Sequence, residues 1–580
     1  MTDNSKDFEP IRGPAALIIL DGCGLRESRA YNCLALAQTP FLDYLMDNDH
    51  HIDPSLEEII GASASTSLVA VGEAVGMPEG AKGSTSVGHE VLSGAEYEHP
   101  MYRIGNAIND DGVMENPAID QAIDYAVEHS STLHLLGLVS NNREHSDIQH
   151  LYSIMRRAAQ RKIKRVCVHF FSDGRGTPPF SAPRFVEDLT MQAEEILGNN
   201  GIDFLMGTVG GRDITMNRSA DTWSKTETTF RAIVEAQGPK IDNIEEGLRE
   251  DYDKGLTDQY VSPRVIGDYD GFHNHDSVIH WNFRKDRAEF LMRMLLDPEE
   301  DFRRRLVESS DETYKDNGFK RLKFKSDLDL STVKVTSLVE SYDGIPCPVA
   351  FIEPTQDWTM GKFLAHFGLN QYRMSGVDKA RAVILLSGGK REKPFEGEQR
   401  VVLPLPDDVR DYMHNYEEHK GERGFRFEPY AKYPEIELED LAWDLSMKIE
   451  SADPKTAFMV NFCNPDMVGH TGDVGAGILA METVDSALKE VITAIRRQGG
   501  FAIITADHGN IEKMMTEDGD PNTFHTDSPV PFVVVGAGDP KLRKDGSLRD
   551  VAPTFFHLLF GCELDLVKRE LVGKTLIEPE

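Results

Sequence analysis

The amino-acid sequence predicts an α/β fold built on a largely parallel sheet, and three observations carry the prediction. Short, continuous apolar runs recur at Ala15 to Leu20, Thr456 to Phe462, Phe501 to Thr505 and Pro531 to Val535, with the length and character of strands buried on both faces. Amphipathic helical patterns fill the spaces, as in Ala476 to Arg497, where Ile478, Met481, Val484, Leu488, Val491 and Ile492 share one face. The runs also end in polar residues: Asp21 after the first, Asn464-Pro-Asp466 after the second, Asp507-His508 after the third. In open parallel sheets, ligands gather beyond the C-terminal strand ends.

Taken in order, the chain opens on MTDNSKDFEP, a polar and acidic start without the apolar core of a secretion signal. The run AALIIL follows and ends at Asp21-Gly-Cys-Gly. Gly83 to Gly94, GSTSVGHEVLSG, then places three hydroxyls (Ser84, Thr85, Ser86) between a loop and a helix start. Unpaired N–H groups and the helix dipole favour an anion there. Alone, such a turn reads as a helix cap. With divalent ions to lower its pKa, one of its hydroxyls could attack phosphorus.

From about His99 to Pro346 the pattern restarts, with strands expected at Leu133 to Ser140 and Arg165 to Phe171. The connectors GAEYEHP and YDGIPCP bracket this stretch. It is expected to be a second α/β domain, residues 99–346, inserted into a first made of 1–98 and 347–580. Its basic residues cluster in short motifs, at Arg175, at Arg212 and Arg218, and at Arg284 and Arg287. Arginine suits bidentate contact with phosphate and carboxylate. Beyond the insertion, Asp466 and His470 stand four apart, Asp507 and His508 are adjacent, and His525 follows. Three Asp, three His and a hydroxyl make a mixed oxygen and nitrogen donor set for two borderline divalent ions.

Composition bounds the rest. With 580 residues the chain exceeds one ordinary domain. Lys and Arg number 62 against 97 Asp and Glu, a net charge of −35, so nucleic acid and anionic membrane are poor partners. No long apolar run is expected to span a bilayer. The six cysteines (Cys23, Cys33, Cys167, Cys347, Cys463, Cys562) lack C-x-x-C spacing, which predicts reduced thiols in a cytoplasmic protein.

The motifs DGCG, GSTSVGH, NPDMVGHTG, TADHGN and FHTDSPVP resemble, in order, those of the cofactor-independent (2,3-bisphosphoglycerate-independent) phosphoglycerate mutases of the alkaline phosphatase superfamily. The resemblance spans nearly the whole chain. It implies an alkaline-phosphatase-like domain interrupted by a substrate-binding insertion, and two divalent ions, manganese first, with magnesium, cobalt or zinc as alternatives. Carried over by motif, Asp21, Thr85, Asp507 and His508 would hold one ion, and Asp466, His470 and His525 the other. Arg175, Arg212, Arg218, Arg284 and Arg287 would surround the substrate, with Lys379 from the other domain and His145 near the transferred phosphate. The implied reaction interconverts 3-phosphoglycerate and 2-phosphoglycerate through a phosphothreonine, without 2,3-bisphosphoglycerate. The implied enzyme is a cytoplasmic monomer of glycolysis and gluconeogenesis.

Departures from the family pattern bear on the substrate. The family's GNSEVGH is GSTSVGH here, so Thr85 takes the place of the serine nucleophile, flanked by Ser84 and Ser86. DGRD becomes Asp173-Gly-Arg-Gly176, without its last carboxylate; SDGGVHS becomes SNNREHS; ETEKYAH becomes GVDKARA, keeping the lysine. The alternative reading is a related metal-dependent phosphomutase or phosphohydrolase acting on another phospho-acid or a phosphonate. A metal-binding pseudo-enzyme is a third, opposed by the filled ligand set.

Overall fold

In the computed structural model, residues 13–579 are described except for 48–55, 57–59, 62, 218–222, 297–327, 343, 354–357, 420–427, 517–518 and 539. The chain forms two compact units, one of residues 1–99 with 355–580 and one of residues 100–354.

β1 (Ala15–Leu20) and β2 (Ser63–Leu68) open the first unit. The chain then builds the second unit from β3 (Thr132–Leu138), β4 (Arg165–Ser172), β5 (Asp203–Gly211), β6 (Lys240–Ile241), β7 (Arg264–Ile266), β8 (Ser277–His280) and β9 (Lys334–Ser337). It returns to the first through β10 (Asn370–Gly376), β11 (Glu398–Leu403), β12 (Thr456–Phe462), β13 (Phe501–Thr505) and β14 (Val530–Val535).

The first unit's seven strands lie in the order β11-β10-β12-β1-β13-β14-β2. Its centre is parallel: β1 pairs with β12 from Ala15↔Ala457 to Leu20↔Phe462, and with β13 from Ala15↔Phe501 to Ile19↔Thr505. β14 and β2 run antiparallel at one edge. Every residue of β1 is fully buried, which is why AALIIL carries no polar alternation. A fully buried Leu or Ile stabilises by roughly 1.5–3 kcal/mol, so these strands anchor the unit. The helix Val474–Arg497 starts at Asp473, whose carboxylate accepts from the N–H of Ala476, and buries Met481, Val484, Leu488, Val491 and Ile495 in the same core.

The second unit's sheet has the order β6-β7-β5-β4-β3-β8-β9, parallel except where β5 meets β7. Its core gathers Leu133, Leu135, Val166, Val168 and Phe170 from the strands with Leu151, Ile154 and Met155 from the helix Ile148–Gln160. Because neighbouring strands are parallel, the residues that follow them emerge at a shared edge. Asp21, Asp466 and Asp507 do so in the first unit, and Asp173 and Arg212 in the second. No helix among the described residues is long and apolar enough to cross a membrane.

Candidate functional site

In the first unit, three loops and one helix N-terminus converge where β12, β1 and β13 end. Asp21 follows β1, Asp466 lies in the short helix Asn464–Gly469 after β12, and Asp507 and His508 follow β13. The fourth contributor is the helix Thr85–Leu92, which begins at Thr85 and whose preceding Ser84 side chain makes no capping bond. Thr85 Oγ1 lies 2.8 Å from His508 Nε2 and 3.3 Å from Lys379 Nζ. Ser86 is exposed.

Two glycines permit this convergence. Gly22 has φ +76°, and a Cβ on it would lie 2.7 Å from Asp466 Cα; a Cβ on Gly88 would lie 2.6 Å from Asp507 Cβ. Buried Glu512 ties the loops together, accepting from the N–H groups of Gly24 at 3.1 Å and Asn510 at 2.9 Å.

Three carboxylates, Asp21, Asp466 and Asp507, are buried side by side. Lys379 Nζ bridges Asp21 Oδ1 at 2.8 Å and Asp466 Oδ2 at 2.6 Å. Burial alone would lower the Lys379 pKa, but Asp21, Asp466 and Asp507 more than offset it and hold the ammonium protonated. Burial and the neighbouring Asp507 raise Asp21 despite Lys379. Burial would also raise Asp466, yet Lys379, His470 and His525 keep it well below the usual carboxylate range. Around Asp466 lie His525 Nε2 at 3.2 Å, His470 Nε2 at 3.4 Å and the donating amide of Asn510 at 2.9 Å. Asn461 donates to Asp21 Oδ2 at 2.6 Å.

The donor set fits divalent ions. Ligand atoms of Asp466, His508 and His525 lie within 4.8 Å of one another, as do those of Asp21, His89 and Asp507. Asp507 Oδ2 is buried with only the His89 and His508 rings beside it, a carboxylate oxygen that a cation would satisfy. His508 stands between the two sets, 3.6 Å from Asp21 Oδ1 and 3.4 Å from Asp507 Oδ2. All seven residues expected as ligands, with Lys379, are thus gathered in one place. His89 is not among the ligands the motifs imply. Its ring lies 3.1 Å from Asp507 Oδ2, and its position four residues after Thr85 on one helix was the available signal.

In the second unit, Arg212 is buried and bridges two groups at the strand ends. Its Nη1 meets Asp173 Oδ1 at 2.6 Å and its Nη2 meets His145 Nε2 at 2.8 Å. Since a guanidinium only donates, His145 Nε2 accepts and its ring proton sits on Nδ1. Ser140 donates to the other Asp173 oxygen at 2.7 Å. Arg284 pairs with Glu144 at 2.6 Å, both half-exposed. Arg287 is buried and donates to the Met216 carbonyl at 3.3 Å. Arg175 is exposed on the loop after β4, and Arg218 lies outside the described residues.

Gly176 adds a detail the sequence did not reveal. A Cβ there would lie 1.7 Å from Asn142 Nδ2, so the Asn142 amide already occupies the space of a side chain at 176. Asp173 is held in a buried pair with Arg212, whereas Glu144 pairs with Arg284 at the half-exposed surface.

Known proteins resemble this chain along nearly its whole length. A family model described as the N-terminus of BPG-independent PGAM matches residues 104–319. A curated relative from Salinibacter ruber (strain DSM 13855 / M31), named 2,3-bisphosphoglycerate-independent phosphoglycerate mutase, is 34% identical over 555 residues, covering 94% of each chain. A crystal structure of Leishmania mexicana phosphoglycerate mutase, determined at low cobalt concentration, superposes with a TM-score of 0.67 at 26% identity and covers 99% of both chains. With five motifs in order, a matching fold and a relative aligned nearly end to end, the chain belongs to the 2,3-bisphosphoglycerate-independent phosphoglycerate mutase family.

Proposed function

We propose that this protein interconverts 3-phosphoglycerate and 2-phosphoglycerate through a phosphothreonine on Thr85. The carrying observation is the Thr85 hydroxyl, set 2.8 Å from His508 Nε2 and 3.3 Å from Lys379 Nζ beside three buried carboxylates. Asp21, Thr85, Asp507 and His508 would hold one divalent ion and Asp466, His470 and His525 another, manganese first, with magnesium, cobalt or zinc as alternatives. Bound there, such ions neutralise phosphate charge and make the hydroxyl a better nucleophile.

The chain's own residues supply the rest. Thr85 Oγ1 gives up its proton and forms a bond to phosphorus as the ester bond to the glycerate oxygen breaks, and that oxygen takes up a proton. The glycerate turns, its other hydroxyl gives up a proton and bonds to phosphorus, and Thr85 Oγ1 leaves and regains its proton. Net, one phosphoryl group moves between two oxygens of the same molecule. Lys379 places a fixed positive charge beside the attacking oxygen, where it counters developing negative charge. Arg175, Arg212, Arg218, Arg284 and Arg287 are proposed to hold the substrate's anionic groups. His145 is proposed to move protons, presenting Nδ1–H because Arg212 occupies Nε2. The enzyme is further proposed to act as a cytoplasmic monomer. The changed residues around Gly176 favour one second reading, a related phosphomutase or phosphohydrolase for another phospho-acid or phosphonate, since fold and metal donors alone do not set the substrate.

An enolase-coupled assay with 3-phosphoglycerate, run with and without 2,3-bisphosphoglycerate, tests the reaction. Equal rates are expected in both, abolished in Thr85→Ala and largely kept in Thr85→Ser. Tandem mass spectrometry of acid-quenched enzyme should find phosphate on Thr85. Phosphate on Ser84 or Ser86 would overturn the assignment, and turnover only of other phosphate esters would favour the second reading.

A further inference from the structure

A second cluster of metal-binding side chains lies in the sheet of residues 100–354, near the N-terminal ends of β3, β4 and β5, away from the edge that carries Asp173 and Arg212. His134 sits opposite Cys167 in the β3–β4 register, and His169, two residues on, shares the face of Cys167. All three are buried, and their donor atoms lie within 4.8 Å of one another. His134 Nδ1 is 3.1 Å from His169 Nε2, and Cys167 Sγ is 3.7 Å from the same nitrogen. A tetrahedral zinc ion, with bonds of about 2.0–2.1 Å to nitrogen and about 2.3 Å to sulfur, sets two nitrogens about 3.3 Å apart and nitrogen about 3.6 Å from sulfur.

The layer behind these atoms is also built. His134 Nε2 donates to Asp276 Oδ2 at 3.1 Å, and that carboxylate is fixed by the N–H groups of Thr132 and His273. His169 Nδ1 meets Thr208 Oγ1 at 2.9 Å. Partners of this kind orient metal-bound histidines and set their tautomers. With its Nε2–H committed to a carboxylate, the His134 ring directs Nδ1 inward toward His169.

Space is reserved as well. The register between β4 and β5 shifts at Val168 and His169, leaving Gly207 as the extra residue. A Cβ on Gly207 would lie 2.7 Å from Cys167 Sγ and 3.0 Å from His169 Cε1, so any larger residue would take the thiol's room. A cavity of about 660 Å³ reaches His134 and Cys167, and its walls include Asp203, Asp242, Asp268, Asp270 and Glu245 against one arginine, Arg165, which pairs with Asp203. Such an acidic approach favours a cation over an anion.

We propose that His134, Cys167 and His169 form a site for one borderline divalent transition-metal ion, zinc on the strength of its two-imidazole, one-thiolate donor set, with the fourth position facing the cavity. On binding, the Cys167 thiol gives its proton to solvent and the ion joins β3 to β4. The site shares no residue with the phosphoryl-transfer machinery.

Cobalt(II) titration of the full-length, chelator-stripped protein tests the site, because a thiolate bound to cobalt gives a near-ultraviolet charge-transfer band. The Asp and His donors of the candidate catalytic site contain no thiol and produce none. The wild-type protein is expected to develop the band to saturation at one thiolate-bound ion per chain. Cys167→Ser should lose it and bind one fewer zinc ion per chain, with the far-ultraviolet circular dichroism and 3-phosphoglycerate turnover unchanged. The wild-type spectrum decides even if that variant fails to fold. No band at saturating cobalt makes the trio a purely internal hydrogen-bonded network and overturns the proposal. A band that survives unchanged in either Cys167→Ser or His134→Gln belongs to other cysteines and overturns it equally.

Discussion

Lys379→Met removes the ammonium shared by Asp21 and Asp466 while keeping a side chain of similar length. Its two contacts, at 2.8 and 2.6 Å, are each worth about 6 kcal/mol of gross attraction at an effective dielectric constant of about 20. Much of that is offset in the native protein by the cost of taking the ammonium out of water. Truncating one partner of a buried ionic set therefore costs about 3–5 kcal/mol, because the carboxylates stay buried without it. In a unit of roughly 300 residues, that corresponds to about 4–7 °C in the unfolding midpoint. Differential scanning calorimetry in excess chelator measures it without interference from bound ions.

The pH dependence gives a second reading of the same variant. With Lys379 present, Asp466 is held below its ordinary value of 3.8, so its contribution is present above that value and is lost as pH falls through the lower folded value. Without Lys379, burial and the neighbouring carboxylates push the group up, and acidification relieves the repulsion by protonating it. The gap between variant and wild type should thus narrow as pH drops from 7 toward 5. A midpoint shift under about 1 °C, or a gap that widens in acid, would refute this account of how the carboxylates are held.

Three further outcomes follow from the geometry. Arg212→Ala should destabilise the unit of residues 100–354 by about 3–5 kcal/mol by stranding buried Asp173, whereas Arg284→Ala, in a half-exposed pair, should cost at most about 1 kcal/mol; chemical denaturation separates the two. If both arginines hold substrate, each alanine variant should still lower kcat/KM by roughly 30- to 1000-fold, or about 2–4 kcal/mol. Gly176→Asp alone should overpack against Asn142 at a cost of about 1–3 kcal/mol, while Gly176→Asp with Asn142→Ala should raise phosphoglycerate turnover by roughly 10-fold or more; a single variant as active as the double would show that Asn142 is no obstacle. Buried His280 is held neutral, its pKa lowered by burial to about 4, so its contribution is present above the ordinary value of 6.5 and is lost as pH falls toward 4. About 2 kcal/mol of stability should therefore disappear between pH 7 and pH 5, and His280→Gln should flatten that part of the urea-denaturation profile.

Much of the fold was legible because the central strands are buried on both faces. AALIIL, TAFMVNF and FAIIT have no polar alternation, and their observed bounds coincide with the apolar runs. Helix Val474–Arg497 begins two residues before the expected start, because Asp473 caps it. β2 (SASTSL) and β10 (NQYRMSG) were not legible: sheet pairing, and not an apolar run, makes them strands. The eight expected residues gathered in the first unit were found through motifs and strand ends, where residue type and topology act together. His89 and Asn142 were missed because what they do depends on which side chain folds against them. Cys167 and His169 stand two apart in one strand, but their partner His134 joins them only through register.

The position of β1 has a consequence for synthesis. This strand lies between β12 and β13, so it stays without both of its neighbours until the chain has been made past residue 505. Its partner Ala457 is made more than 400 residues after Ala15, a wait of roughly 20–90 s at ordinary elongation rates. During that interval residues 100–354, whose strands pair only among themselves, can complete their own sheet, while AALIIL remains an apolar run without its neighbours. Production of this protein is therefore exposed to aggregation at its N-terminal strand, and slower translation or a shortage of chaperones lengthens that exposure.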